Sequence, residues 1–127
     1  MAKRMLIVDD EQDMQNLMKI YIERSNLDVE LHHAFTGEEG VEMYQQLREK
    51  GTKPDLVIMD LKLPGINGVE ATHRITKIDS EAIIYGFTAF FDTNWSTKLK
   101  DAGAKGVIPR PVGLDGFVEY IRGILEA

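Results

Sequence analysis

Short apolar runs alternating with stretches of helical periodicity constrain this chain more than any other feature. Met5, Leu6, Ile7 and Val8 form one run, and Leu56, Val57, Ile58 and Met59 another. A strand that is apolar throughout is buried on both faces. Shorter strands are predicted around Val29 to His33, from Ala82 to Phe87, and at Val107 and Ile108. Between them, apolar residues recur at helical spacing. Met14, Leu17, Met18, Tyr21 and Ile22 share one face. Val41, Tyr44 and Leu47 share a second, and Val69, Thr72, Ile75 and Ile78 a third. Trp95, Leu99 and Ala102 belong to a fourth helix, and Phe117, Val118, Ile121, Ile124 and Leu125 to a fifth. Thr36 with Glu39 three residues later marks a helix start. Gly51 and Gly103 mark helix ends, and Pro64 with Gly65 a turn. Strands alternating one-for-one with helices imply an α/β fold: a parallel sheet, helices on both faces, right-handed crossovers.

The 127 residues fit a single domain, 1–127. With no cysteine, disulfides, thiolate catalysis and cysteine-based zinc sites are excluded. A net charge of −6 argues against direct nucleic-acid binding, which needs a basic surface. No apolar run approaches the roughly 20 residues of a membrane span. The apolar stretch after Lys3 and Arg4 is shorter than the about 7–15 residues of a secretory core. A cytoplasmic location, with no membrane contact, is the expectation.

In doubly wound sheets, ligands bind beyond the carboxyl ends of the strands. Asp9 and Asp10 follow the first strand, Asp60 the third, Thr88 the fourth and Arg110 the fifth. Taken singly, an Asp in such a place is equally at home as a helix cap, and Asp9 or Asp10 could cap the first helix. Taken together, three carboxylates at one sheet edge repel, each close pair by about 4 kcal/mol at an effective dielectric near 20. A divalent cation or protonation relieves this. An all-oxygen donor set suits Mg²⁺, with Mn²⁺ as the alternative, rather than zinc. A carboxylate nucleophile, a hard cation, a hydroxyl and a basic side chain describe phosphoryl transfer to aspartate.

The residues that carry this chemistry also carry a resemblance. The stretch 6–11, Leu-Ile-Val-Asp-Asp-Glu, resembles the opening of response regulator receiver domains of two-component signalling, the CheY-like superfamily. The stretch 55–68, from Asp55 through Asp60 to Pro64, Gly65 and Gly68, resembles their phosphoacceptor segment. Phe87-Thr88-Ala89 and the stretch 102–106 match two further family segments. The resemblance implies a flavodoxin-like (βα)5 sheet in the order 2-1-3-4-5. It implies that Asp60 accepts a phosphoryl group from a sensor histidine kinase or histidine phosphotransfer protein. Asp9, Asp10, Asp60 and the backbone carbonyl of Lys62 would hold Mg²⁺. Thr88, the N–H of Ala89 and Arg110 would bind the phosphoryl group. Phosphorylation would then reposition the surface of the fourth helix, fifth strand and fifth helix toward a downstream protein, a fused output domain or a second copy in a homodimer. Such a domain signals and is not an enzyme beyond gaining and losing its own phosphoryl group.

Several residues depart from the family pattern. Arg110 stands where the family has lysine, a planar fork replacing a point charge. Pro109 before it stiffens the strand end. The Arg110–Pro111 peptide bond is expected to be cis, as the family implies. Val107 stands where many receivers carry a switch aromatic, while Phe90, Phe91 and Trp95 crowd the segment after Thr88. These four are the candidate switch and output residues. By the family resemblance, Lys62 and Phe90, two residues beyond Asp60 and Thr88, sit at positions that tune access of water to the aspartyl phosphate, which implies slow loss of the phosphoryl group. His32, His33 and His73 are too scattered for a metal site. Arg110 and Val107 also motivate an alternative: a pseudo-receiver that binds a partner without phosphorylation. A flavodoxin-like nucleotide or flavin binder is a weaker alternative, because no glycine-rich phosphate loop is present. An aspartate-nucleophile phosphatase usually has a second Asp where this chain has Lys62.

Overall fold

The computed structural model describes residues 2–89 and 93–127, with Thr93 described by its backbone alone. Strands β1 (Lys3–Val8), β2 (Val29–Ala34), β3 (Leu56–Met59), β4 (Ile84–Thr88) and β5 (Gly106–Pro109) alternate with helices. These are α1 (Gln12–Arg24), α2 (Gly37–Glu49), α3 (Gly68–Ile78), α4 (Thr93–Asp101) and α5 (Gly113–Leu125). A 3-10 turn, Arg110–Val112, precedes α5. All strand pairs are parallel, in the order β2-β1-β3-β4-β5. This is the flavodoxin-like sheet that the family resemblance implies.

Side chains alternate across a strand, so β1 feeds two cores. Leu6 and Val8 join Tyr44, Val57, Met59, Ile75, Ile84 and Leu99 on the face covered by α2, α3 and α4. Met5 and Ile7 join Met18, Ile22, Ile58, Phe117 and Ile121 beneath α1 and α5. Burying each large aliphatic side chain contributes about 1.5–3 kcal/mol, and these residues lie at the centre of both layers.

Register places the strand ends. Val8 pairs with Met59, and Met59 with Gly86. Asp9 and Asp60 therefore leave the sheet side by side, tied by Asp60 N–H donating to the Val8 carbonyl at 2.9 Å. Thr88 pairs with Pro109, so Arg110 emerges beside it. The helix starts follow sequence logic. Glu39 N–H donates to Thr36 Oγ1 at 3.0 Å, and the Glu39 carboxylate accepts from Phe35 N–H at 2.9 Å. Gly51, at φ +77°, ends α2 in the left-handed conformation that glycine favours.

Some expectations need correction. Leu17 is 43% exposed, whereas Gln15 is buried to 1%. Gln15 lies three residues before Met18 and seven before Ile22, on the same stripe. It takes the inward position because its amide nitrogen meets backbone carbonyls at the ends of β1 and β2. The fourth strand runs from Ile84, not Ala82, because Ala82 N–H closes a turn onto the Asp79 carbonyl. Neither Asp9 nor Asp10 is the N-cap of α1. Glu11 holds that position, without a side-chain bond, and Asp9 Oδ1 accepts from Glu11 N–H at 2.9 Å. The Arg110–Pro111 bond is trans, as are all peptide bonds among the described residues. Pro111 sits in the first turn of the 3-10 segment, where its fixed φ suits a helical start.

Candidate functional site

The three carboxylates converge. One oxygen each from Asp9, Asp10 and Asp60 lies within 4.8 Å of the others. Asp9 and Asp60 are buried, and Asp10 is exposed. Asp10, Asp60, Lys62, Thr88, Ala89 and Arg110 line a cleft of about 540 Å³. The ends of β1, β3, β4 and β5 therefore bring Asp9, Asp10, Asp60, Thr88 and Arg110 to one edge of the sheet.

Hydrogen bonds orient the acids. Asp60 Oδ1 accepts from Leu61 N–H at 2.8 Å, and the Thr88 hydroxyl donates to the same carboxylate. Asp9 Oδ2 accepts from Arg110 Nη2 at 2.9 Å. The same nitrogen lies 3.5 Å from Asp60 Oδ2 and donates to the Phe87 carbonyl at 3.3 Å. Arg110 Nη1 is 3.7 Å from Glu11. The guanidinium carbon rests 5.1 Å from the centre of the Phe87 ring, which stacks on Phe117 at 4.5 Å. Arg110 is therefore seated on an aromatic face between two acids.

Burial pushes the Asp60 carboxyl up to about 6. The Arg110 charge opposes this rise, the Asp9 charge adds to it, and the bonds from Leu61 and Thr88 temper it. Asp9 is also raised, chiefly by burial, against the Glu11 N–H bond and Arg110. Three acids close together, two of them raised, are a site in which negative charge is under-compensated. The donor set is all oxygen, and the scattered histidines stand outside it: His32 pairs with Glu30, and His33 Nδ1 lies 2.6 Å from Gln15. These residues fit a hard divalent cation of the Mg²⁺ or Mn²⁺ kind.

The switch candidates divide. Val107 and Trp95 are half-buried and pack against the core beneath α2, α3 and α4. Lys98 lies 4.4 Å from the centre of the Trp95 ring. Phe90 and Phe91 lie outside the described residues.

Two residues that shape the site were given no role from the sequence. Gln15 Nε2 faces the carbonyls of Ile7, Asp9 and Ala34 at 3.1, 3.1 and 2.9 Å, fixing the backbone that carries Asp9. A carboxamide inside an apolar stripe was the available signal. Gly68 begins α3 with its Cα against Asp60: an added Cβ would overlap the Asp60 carbonyl oxygen and press on Leu61. Its N–H donates to the Leu61 carbonyl at 2.7 Å. Gly68→Ala is therefore expected to lose about 1–3 kcal/mol of stability, as overpacking against fixed backbone does. Urea unfolding checks this, and an unchanged midpoint would contradict the close approach.

The chain matches the family model of the response regulator receiver domain over residues 5–122. It belongs to that family, the receiver modules of two-component signalling. Two similar relatives are chemotaxis proteins CheY. That of Halobacterium salinarum is 35% identical over 127 residues, covering 100% of both chains. That of Thermotoga maritima is 36% identical over 124 residues, covering 98% of each. A solved structure of a CheY-like receiver domain protein from Methanospirillum hungatei superposes with a TM-score of 0.83 at 27% identity, covering 99% of this chain and 95% of that one. Among the described residues, no helix is long and apolar enough to cross a membrane.

Proposed function

We propose that this receiver domain accepts a phosphoryl group on Asp60 and uses it to alter a partner-binding surface. The observation that carries this reading is the convergence of Asp9, Asp10 and Asp60 beside a cleft that Asp10 and Asp60 line together with Thr88 and Arg110. An Asp60 oxygen attacks the phosphorus of a phosphohistidine on a sensor kinase or phosphotransfer protein. The N–P bond breaks with its electron pair left on the imidazole, and an O–P bond forms. With its carboxyl near 6, Asp60 is mostly ionised and nucleophilic at neutral pH. Asp9, Asp10, Asp60 and the Lys62 carbonyl would hold Mg²⁺, which when bound neutralises charge on the transferring group. The Thr88 hydroxyl and Ala89 N–H donate to the phosphoryl oxygens, and Arg110 pairs with their charge.

The new group brings about 1.5–2 negative charges. Thr88 and Arg110, at the ends of β4 and β5, are drawn toward it. That motion reaches Val107 on β5 and Trp95 on α4, within a face that would meet a downstream protein, a fused output domain or a second copy. Acetyl phosphate with Mg²⁺, followed by intact mass, tests the acceptor chemistry. One phosphoryl adduct is expected, lost with EDTA and absent in Asp60→Asn. No adduct from acetyl phosphate or from a phosphorylated kinase would instead favour a pseudo-receiver that works unphosphorylated.

A further inference from the structure

We infer that His33 is a positioning residue for the acidic cluster: through Gln15 it sets the backbone of Asp9, and with it the affinity of the cluster for a divalent cation. This rests on the reading of the cluster as a divalent-cation site, and it gives a role to a histidine that lies outside the cluster, on β2.

The contacts allow one placement of the hydrogens. The Gln15 side chain is closed to solvent, and its nitrogen faces the carbonyl oxygens of Ile7, Asp9 and Ala34. A carbonyl only accepts, so a flipped amide would set its own oxygen against three others. Gln15 Oε1 is thereby turned toward the His33 ring, 2.6 Å from Nδ1. That oxygen also only accepts, so Nδ1 must carry the hydrogen. Burial, aided by the charges of Lys19 and His32, holds the His33 ring below its ordinary 6.5. At pH 7.5 the ring is therefore neutral, with a single N–H to place.

The relay transmits position. The Ala34 carbonyl that Gln15 meets also accepts from Asp9 N–H at 3.1 Å. Gln15 thus grips Asp9 at its own carbonyl and at the partner of its N–H. Two N–H groups serving three carbonyls fix the amide only if its oxygen end is held as well. His33 holds that end, and its own backbone is set by pairing with Ile7 across the sheet. Without this donor the amide can tilt, and the Asp9 peptide with it. Outer partners of this kind orient a metal ligand that they do not themselves touch.

The test begins on the metal-free protein. At pH 7.5 a nitrogen–proton correlation spectrum of the imidazole rings is expected to place the His33 hydrogen on Nδ1. A hydrogen on Nε2 overturns the relay. Calorimetric titration with Mg²⁺ then compares the wild type with His33→Leu, which lacks the donor, and His33→Asn, whose amide nitrogen takes the place of Nδ1. Mg²⁺ binding is expected to weaken roughly tenfold in His33→Leu and to stay within about threefold of the wild type in His33→Asn. A purely structural histidine would lower the urea midpoint of His33→Leu and leave its Mg²⁺ affinity unchanged. That result overturns the inference, as does an equal loss of affinity in both variants. If the wild type itself binds no Mg²⁺, the metal-site reading fails and the inference falls with it. Should His33→Leu not fold, the wild type decides, because coupling between sites is reciprocal. The His33 ring resonance must then move on Mg²⁺ addition with the calorimetric half-point, and an unmoved resonance overturns the relay.

Discussion

Asp60→Asn is expected to make the metal-free protein more stable at pH 7.5 by on the order of 2–3 kcal/mol. The Asp60 carboxyl titrates near 6 in the fold against an ordinary value of 3.8, mainly because it is buried. At about 1.4 kcal/mol per tenfold change, holding it ionised opposes folding by about 3 kcal/mol. A raised carboxyl favours the folded state only while protonated. The disfavour is absent below pH 3.8, grows as pH rises toward 6, and is complete above it. Asparagine is neutral throughout, so the advantage of the variant should fade at pH 4. Mg²⁺ should stabilise the wild type, by about 2.7 kcal/mol at a hundredfold excess over its dissociation constant, and the variant much less. Urea unfolding at pH 4 and pH 7.5, with and without Mg²⁺, reads all of this. A variant less stable than the wild type at pH 7.5 would mean that the carboxylate is better compensated than its surroundings indicate.

Asp79→Ala is expected to destabilise the protein by about 2–4 kcal/mol. Asp79 lies away from the acidic cluster, just before β4, and is buried to 6%. Its Oδ2 accepts from the Tyr44 hydroxyl at 2.8 Å and from Lys53 at 3.1 Å, and its Oδ1 accepts from Glu81 N–H at 3.0 Å. Arg48 stands 3.8 Å away. Burial alone would raise this carboxyl, but the bonds from Tyr44, Glu81 and Lys53 outweigh it and hold it below 3.8. Its contribution is therefore present above pH 3.8 and lost as pH falls through the lower folded value. Without Asp79, the fully buried Tyr44 hydroxyl has no acceptor there. Tyr44→Phe, which removes donor and bond together, should lose less, about 1 kcal/mol. A loss below about 1 kcal/mol for Asp79→Ala in urea would show that the cluster is solvated.

The sequence exposed the site because strand ends are easy to see. An uninterrupted four-residue run such as 56–59, too short for a helix, reads as a buried strand, and the charge that stops it, Asp60, then sits at its carboxyl end. Asp9 and Thr88 follow by the same logic, and register then brings them together. Polar residues whose partners come from distant backbone were less legible. Gln15 reads as a surface residue until Ala34 and Asp9 are folded above it, and Leu17 reads as core until Gln15 displaces it. Gly68 shows nothing in the sequence of its packing against Asp60. Arg110 was visible as a departure from lysine. Its bond to Asp9 was not, because it depends on where the Phe87 ring sets the guanidinium.

The most direct measurement is to locate the phosphoryl group. After acetyl phosphate and Mg²⁺, borohydride reduction of the acyl phosphate followed by peptide mass spectrometry marks the modified carboxyl. The mark should fall on Asp60 alone. A mark on Asp9 or Asp10, or no mark on Asp60 in a folded protein that binds Mg²⁺, would contradict its role as the acceptor.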